Sequence, residues 1–377
     1  MRIGIITILK VNNYGAELQA YALQAVLKKM GHEAEIIDYL FYKNGGHRKT
    51  QRSRPIFAFG MKKRLAETLY PLVTRMKERR SNATLRRMEN FERFHRYNTT
   101  LSKTFATIDE LYADCPSYDI YMTGSDQVWN PGIYSSLLPY FLDFAPAGKP
   151  RIAYAASFGV GTLPEPVRAT YRNLLSRYAA IGVRESSGAE IVRGLGLEAV
   201  NVLDPTLLLT QDDWLTVARR VDGMPAQYVL VYEITSSPYL SVVAQEVARR
   251  LQLPIVRVCR AASKEDADAI HVLDAGPAEF LSLMHRAAFV VTNSFHGTAF
   301  AVNFRRPFLV VTPKRKDNNS RQRNLLGLLG LSHRLVTEGD ALPQDLTTDY
   351  AEASVRLEAE REKSLNFLTS AIHGSDK

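Results

Sequence analysis

The sequence is poor in cysteine, which excludes two classes of protein. Its 377 residues include only Cys115 and Cys259, with no Cys-x-x-Cys pair and no histidine cluster at metal-ligand spacing. A disulfide-stabilised scaffold needs more cysteines, and a structural zinc site needs about four Cys or His ligands. We therefore expect two reduced thiols and no metal site.

Long apolar runs are missing as well. No stretch reaches the roughly 18 apolar residues of a transmembrane helix. The apolar start at residues 3–9 is too short for the hydrophobic region of a signal peptide, and no small-residue cleavage site follows it. We therefore expect a cytoplasmic protein whose chain begins with a β-strand.

The composition is that of a folded protein with more than one domain. Apolar residues make up 46% and charged residues 23% of the chain, which is typical of globular proteins and argues against disorder. At roughly 100–200 residues per domain, the length predicts two or three domains.

Positive charge is concentrated in one segment. The formal net charge is +9, and residues 43–96 hold 16 Lys/Arg against 4 Asp/Glu, so the rest of the chain is slightly acidic at −3. Such a segment attracts nucleic acid, anionic lipid or an acidic substrate alike. It carries no recognisable nucleic-acid-binding signature, so we expect no nucleic-acid partner.

The same segment contains a predicted amphipathic helix. Leu85, Met88, Phe91 and Phe94 recur at a helical period among charged residues. We expect an accessory arm with an exposed Lys/Arg face that meets an anionic membrane surface or an acidic acceptor. Its apolar stripe either packs on the first domain or enters the lipid interface.

Elsewhere, apolar runs that suit buried parallel strands alternate with helical patterns, which predicts an α/β fold. We predict two Rossmann-like domains facing one cleft, at residues 1–204 and 205–350. The first includes a basic helical insertion at 43–110, and a C-terminal helix and tail follow at 351–377. Ligands of such sheets bind beyond the carboxyl ends of the strands, so the candidate residues are those that follow strands.

Two predicted strand ends in the first domain carry polar loops. Asn12-Asn13-Tyr14-Gly15 is either a ligand-binding turn or only a capped turn, and it lacks the G-x-G-x-x-G dinucleotide fingerprint. The second loop combines Ser125, Asp126, Gln127 and Trp129, and such a cluster at a strand end favours a binding loop.

A third strand end carries Arg184-Glu185. An Arg in this position can hold an anionic group with its planar fork. The alternative is an ion pair with Glu185 or another neighbour.

The most informative stretch is residues 293–298, Asn-Ser-Phe-His-Gly-Thr, between a predicted strand and a small-residue helix. His296 then lies near a helix N-terminus, which binds anions, and it suits a general acid that titrates near neutrality. Ser294 fits a cap or a ligand contact better than a nucleophile, because the segment is not G-x-S-x-G. The alternative is a His that only caps and packs.

Basic residues follow the next predicted strand. Lys314, Arg315 and Arg321 either bind phosphate or carboxylate on the same side as His296, or belong to a solvated loop.

At these residues the sequence resembles the polysaccharide pyruvyl transferase family. The likeness runs from residue 3 to about residue 331 without the basic segment, and the order and spacing of the motifs make it specific. The motifs are Gly4–Thr7, Asn12–Tyr21, Gly124–Asn130, Val183–Glu185, Asp204–Thr206 and Thr292–Thr298.

The resemblance implies a GT-B-like pair of domains, phosphoenolpyruvate as donor substrate, a saccharide acceptor that is free or lipid-linked, and no cofactor. Pyruvate would move onto two sugar hydroxyls as a cyclic ketal during the synthesis of a cell-surface polysaccharide. Ser294 stands where the family has the Arg of an Arg-x-His motif, and Arg321 and Lys314 are the candidates to replace it.

We accordingly expect His296 to be the acid. The expected donor-binding residues are Arg184, Ser294, Phe295, Gly297, Thr298, Lys314, Arg315 and Arg321. The expected acceptor-binding residues are Asn13, Tyr14, Gly15, Ser125, Asp126, Gln127 and Trp129.

Two other interpretations stay open at this point. A GT-B glycosyltransferase that uses a nucleotide sugar is favoured by Ser294. A non-catalytic module whose basic arm holds nucleic acid accounts for residues 43–96 but leaves the strand-end motifs unexplained.

Overall fold

The computed structural model describes residues 1–55, 81–133, 135–260, 268–314 and 320–374. The described chain divides into two compact units. Unit 1 takes the described residues of 1–80, 95–208 and 360–377, and unit 2 takes those of 81–94 and 209–359. Each unit contains one parallel six-stranded sheet, so the predicted α/β class with two Rossmann-like domains is confirmed.

The sheet of unit 1 has the order β2-β1-β3-β4-β5-β6, with all strands parallel. Its central strands are apolar along their length because helices cover both faces of such a sheet; Ile3, Ile5 and Ile6 are fully buried. The strands are β1 Arg2–Ile6, β2 Glu33–Ile36, β3 Ile120–Thr123, β4 Arg151–Ala156, β5 Ala180–Val183 and β6 Val200–Asn201.

The sheet of unit 2 has the order β12-β11-β10-β7-β8-β9, again with all strands parallel. Every residue of its three central strands is buried. The strands are β7 Val229–Tyr232, β8 Ile255–Val258, β9 Ile270–Val272, β10 Phe289–Thr292, β11 Phe308–Thr312 and β12 Leu335–Thr337.

Helices connect and cover the strands of both sheets. In chain order they are α1 Tyr14–Lys29, α2 Asn82–Asn98, α3 Ile108–Asp114, α4 Glu165–Leu175, α5 Ser186–Arg193, α6 Gln211–Leu215, α7 Pro238–Leu251, α8 Pro277–Arg286, α9 Phe295–Asn303, α10 Ser320–Leu328 and α11 Ala351–His373.

The division between the units differs from the predicted boundaries in two places. It falls after Leu208 rather than after Asp204, and the second half of α11 belongs to unit 1. In that half, Arg361 donates to the Leu207 carbonyl at 2.6 Å and Ser364 Oγ accepts from the Leu203 amide at 2.9 Å. The C-terminal helix is therefore not a separate element after the second domain.

Helix α2 corrects the expectation for the basic segment, of which residues 56–80 lie outside the described part. Residues 81–94 belong to unit 2, not to the first domain. Phe91 and Phe94 are buried, whereas Leu85 and Met88 are 49% and 39% exposed. The apolar stripe is thus used over only half of its length.

The arginines of α2 are also less available than expected. Arg86 pairs with Asp274 at 2.9 Å, and Arg93 pairs with Glu279 at 2.6 Å. Arg87 is buried and donates to the Cys259 carbonyl at 3.3 Å. Part of the predicted cationic face therefore anchors the helix inside unit 2.

A bilayer-crossing helix is not found in the described part of the chain, where no helix combines the necessary length with the necessary apolarity.

Candidate functional site

The strand order of each sheet reverses at one point, between β1 and β3 in unit 1 and between β7 and β10 in unit 2. Ligands of open α/β sheets bind beyond the carboxyl ends of the strands at such a reversal. The loops predicted from sequence follow β1, β3 and β5 in unit 1 and β10 and β11 in unit 2. Each unit therefore presents one group of candidate residues.

The loop between β1 and α1 is held by two side chains of the helix start. Asn13 is the N-cap, and its Oδ1 accepts from the amides of Gly15 at 3.0 Å and Ala16 at 3.3 Å. Glu17 accepts from the amide of Val11 at 3.1 Å and lies 2.9 Å from His95 Nε2. Tyr14 and Gly15 are buried, so only Asn13 of the three predicted residues is partly exposed.

The loop after β3 is held in place by a series of buried hydrogen bonds. The Ser125 amide donates to Gln19 Oε1, and Thr7 Oγ1 donates to the Ser125 carbonyl, both at 2.9 Å. Ser125 Oγ donates to the Ala155 carbonyl at 2.8 Å and contacts Asp204 Oδ2 at 3.2 Å. Ser125 is fully buried and acts here as a link between strands.

Gly124 is required by this close packing. Its φ is +120°, and a Cβ at this position would overlap the carbonyl oxygen of Tyr154. Only glycine combines that backbone conformation with that approach.

Trp129, which was predicted to contact the acceptor, does not reach the surface of unit 1. The side chain is fully buried, stacks on Phe141 with ring centroids 5.6 Å apart, and donates through Nε1 to the Tyr140 carbonyl at 3.1 Å. The aromatic surface of Trp129 therefore belongs to the core of unit 1.

Asp126 and Gln127 are the partly exposed members of this loop among the predicted acceptor residues. The backbone amide of Gln127 donates to Asp126 Oδ1 at 2.8 Å, and the side-chain oxygen Oε1 of Gln127 accepts from Asn130 Nδ2 at 2.6 Å. Asp126 has a φ of +72°, in the left-handed region that Asp tolerates better than most residues.

Arg184 lies at the carboxyl end of β5 among three carboxylates. Its Nη1 donates to Asp204 Oδ2 at 2.9 Å, its Nε donates to Glu185 Oε1 at 3.2 Å, and its Nη2 lies 3.7 Å from Asp126 Oδ1. Burial alone lowers the pKa of this guanidinium, but the carboxylates of Glu185, Asp204 and Asp126 raise it above its ordinary value. Arg184 is therefore a buried, permanently charged centre of unit 1.

In unit 2, Ser294 is the N-cap of α9. Its Oγ accepts from the Gly297 amide at 3.2 Å, and its carbonyl accepts from Thr298 Oγ1 at 2.9 Å. Thr298 is fully buried and Ser294 nearly so. These two residues shape the start of the helix.

His296 lies in the first turn of α9, 8% exposed, with its ring edge-on to Phe295 at 5.2 Å between centroids. The helix comes close to the sheet because residue 297 is glycine. A Cβ there would overlap Thr292 Oγ1 and lie 3.1 Å from the Tyr232 ring. Gly297 therefore sets how close the first turn of α9, which carries His296, lies to the sheet.

Two of the predicted cations lie on the described part of unit 2. Arg321 lies over the Phe295 ring, 6.0 Å from its centroid, and Lys314 is exposed after β11. Arg315 lies outside the described residues. Of the predicted donor-binding residues that the structure describes, Arg184 belongs to unit 1 and the others belong to unit 2.

Comparison with known proteins gives the family. The family model for polysaccharide pyruvyl transferase matches residues 13–315. The chain belongs to the polysaccharide pyruvyl transferase family. No curated protein sequence matches it.

Solved structures resemble this family member in fold. UDP-GlcNAc 2-epimerase from Neisseria meningitidis, bound to UDP-GlcNAc, has a TM-score of 0.52 at 9% identity, over 99% of this chain and 100% of that chain. UDP-N-acetylglucosamine 2-epimerase from Rickettsia bellii has a TM-score of 0.49 at 9% identity, over 98% and 96%. At 9% identity, the likeness to the Neisseria meningitidis enzyme shows a shared GT-B-like α/β fold alone.

The structure of this pyruvyl transferase family member also adds residues that the sequence analysis did not select. Asn293 joins the ends of β10 and β7, since its Oδ1 accepts from the Ile234 amide at 2.9 Å and its Nδ2 donates to the Thr235 carbonyl at 2.7 Å. Glu233 follows β7 and accepts from buried Arg257 at 3.0 Å. The sequence feature that could have indicated this ion pair is the single Arg within the otherwise apolar strand β8.

Proposed function

We propose that the protein transfers the pyruvyl group of phosphoenolpyruvate to two hydroxyls of a saccharide, forming a cyclic ketal. The observation that carries the proposal is the position of His296, the histidine of the family motif. It lies in the first turn of α9, which follows β10 at the point where the strand order of the unit 2 sheet reverses. A proton donor placed there meets an anion that the helix N-terminus attracts.

The charges of unit 2 suit an anionic donor. Phosphoenolpyruvate carries a carboxylate and a phosphate, which together bring about three negative charges. Arg321 lies beside Phe295 of the same helix, and the exposed Lys314 follows β11, the strand that pairs with β10. Ser294 supplies no charge, but its cap keeps the first turn of the helix in place.

The chemistry requires one proton donor and two departing hydroxyl protons. His296 gives a proton to the methylene carbon of the donor, and the oxygen of one sugar hydroxyl bonds to the carbon that bears the phosphate. The bond from that carbon to the phosphate oxygen breaks, and the second hydroxyl closes the ring. One hydroxyl proton balances the proton gained by the methyl group, and the other leaves with hydrogen phosphate.

A nucleotide sugar is the second candidate donor, and Ser294 is the observation that favours it. The family Arg at this position would add a cation for a donor carboxylate or phosphate, whereas a cap serves any donor. A saccharide would remain the acceptor in that case.

Calorimetric titration separates the two donors. We expect phosphoenolpyruvate to bind and UDP-hexoses to give no heat of binding, and His333→Ala, an exposed change in unit 2, should bind like the wild type. Binding of a UDP-hexose without binding of phosphoenolpyruvate would replace the proposed donor.

A further inference from the structure

Two nitrogens of the Arg184 guanidinium donate hydrogen bonds to carboxylates, and the third lies near another carboxylate. Each of its three nitrogens faces a different carboxylate, from Asp204, Glu185 and Asp126, at 2.9, 3.2 and 3.7 Å. The side chain is 1% exposed. An incoming phosphate would have to displace these partners inside the unit.

The local charge also opposes an anion. One guanidinium with the three carboxylates of Glu185, Asp204 and Asp126 gives this group a net formal charge of −2. Phosphoenolpyruvate is itself strongly negative. A neutral polyhydroxyl compound fits this edge better, because its hydroxyls donate to carboxylates without adding charge.

The same contacts connect Arg184 to the loop after β3. Asp204 Oδ2 accepts from Arg184 Nη1 and lies 3.2 Å from Ser125 Oγ, so one carboxylate oxygen contacts both the end of β5 and residue 125. Asp204 Oδ1 is fixed in turn by the amide and hydroxyl of Thr206 at 3.0 and 2.7 Å. A movement of the guanidinium therefore moves the loop.

Asp126 is the member of the group that reaches solvent. Its side chain is 18% exposed, and both of its contacts with side chains or loop amides use Oδ1. Within the described part of the chain, Oδ2 accepts no hydrogen bond. The Arg184 guanidinium and the Gln127 backbone amide thus act on Oδ1 rather than on Oδ2.

We propose that Arg184 is a positioning residue for the saccharide acceptor rather than a ligand of the donor: through Asp204 and Ser125 it holds residues 124–130 so that Asp126 accepts a hydrogen bond from an acceptor hydroxyl. This inference rests on the proposed function.

The test compares Arg184→Lys, Arg184→Gln and Ser125→Ala with Arg172→Lys, an exposed change on α4 of the same unit. Lysine keeps the charge but loses the fork, and Ser125→Ala breaks the link to Asp204 while leaving the guanidinium in place. The assay follows phosphate release from phosphoenolpyruvate with a panel of methyl hexopyranosides, and KM is measured for each substrate.

We expect all three variants to raise KM for the saccharide about tenfold or more, the loss that follows when a charge-assisted hydrogen bond is removed. KM for phosphoenolpyruvate should stay within about twofold, since an unengaged group contributes little. Arg172→Lys should match the wild type. If KM for phosphoenolpyruvate rises instead, more in Arg184→Gln than in Arg184→Lys, Arg184 is a donor ligand and the inference is wrong.

Hydrogen exchange of residues 124–130, measured without substrate, decides the positioning role independently of turnover. Faster exchange in Arg184→Lys and Ser125→Ala, with no change in Arg172→Lys, supports it, and unchanged exchange overturns it. A wild-type enzyme that releases no phosphate with any saccharide would instead contradict the proposed function, whatever the exchange result.

Discussion

The packing of α9 against β10 gives a prediction that can be worked out from two glycines. Gly297 and Gly327 both lie in helices of unit 2. A Cβ at 297 would overlap Thr292 Oγ1 and lie 3.1 Å from both Thr292 Cβ and the Tyr232 ring. A Cβ at 327 would meet nothing nearer than 3.8 Å.

Alanine should therefore have opposite effects at the two positions. Replacing a helical Gly by Ala gains about 1 kcal/mol of helix propensity, and Gly327→Ala should keep that gain. Overpacking a close contact costs about 1–3 kcal/mol, so Gly297→Ala should lose up to about 2 kcal/mol net. The helix term cancels in the comparison, and the two variants should differ by about 1–3 kcal/mol in the free energy of unfolding.

Urea denaturation followed by tryptophan fluorescence measures this difference. Trp214 is buried in unit 2 against Phe300 of α9, with ring centroids 5.1 Å apart, and Trp129 lies in unit 1. A Trp129→Phe background leaves Trp214 as the reporter for both variants. If Gly297→Ala proves as stable as Gly327→Ala, the close approach of α9 to the sheet is refuted.

Three further predictions concern the same helix and the basic segment. Ser294→Ala should lower the free energy of unfolding by about 1 kcal/mol because it removes the N-cap, and an unchanged urea midpoint would contradict this. His296→Ala should lower kcat by about 10²–10⁴-fold at saturating phosphoenolpyruvate, whereas exposed His333→Ala should not; a near-wild-type rate in the first variant would remove His296 from the acid role. Through residues 43–96, the protein should co-sediment with anionic but not with neutral vesicles. Salt at 1 M should release it, because the Debye length falls to about 3 Å. Co-sedimentation that does not depend on lipid charge or salt would contradict a targeting role.

The buried apolar strands could be predicted from sequence, because a run of apolar residues between turns is a strong indication of a buried strand. Strands β5, Ala180–Val183, and β10, Phe289–Thr292, are among the apolar runs that predict the α/β fold. The edge strands β9 and β12 give a much weaker signal, since each has three residues and a half-buried edge needs no continuous apolar run. Helix α10 also gives a weak signal, because its sequence begins with polar residues.

The position of the candidate residues was predictable, but their partners were not. A motif that follows a strand must lie at the carboxyl edge of the sheet, and this placed His296 and Asp126 correctly. Burial depends on which chain segments pack above the loop, and that is why Trp129 was taken for an acceptor contact. The three carboxylates around Arg184 come from residues up to 78 positions apart, a distance over which no local pattern reports.

The most direct test of the central claim is mass spectrometry of candidate saccharides, free and lipid-linked, after incubation with the enzyme and phosphoenolpyruvate. We expect one saccharide to gain the mass of a single pyruvyl ketal, with one phosphate released per ketal, and His296→Ala to form none in the same time. A product that gains a hexose from a nucleotide sugar, with no ketal from phosphoenolpyruvate, would contradict the central claim.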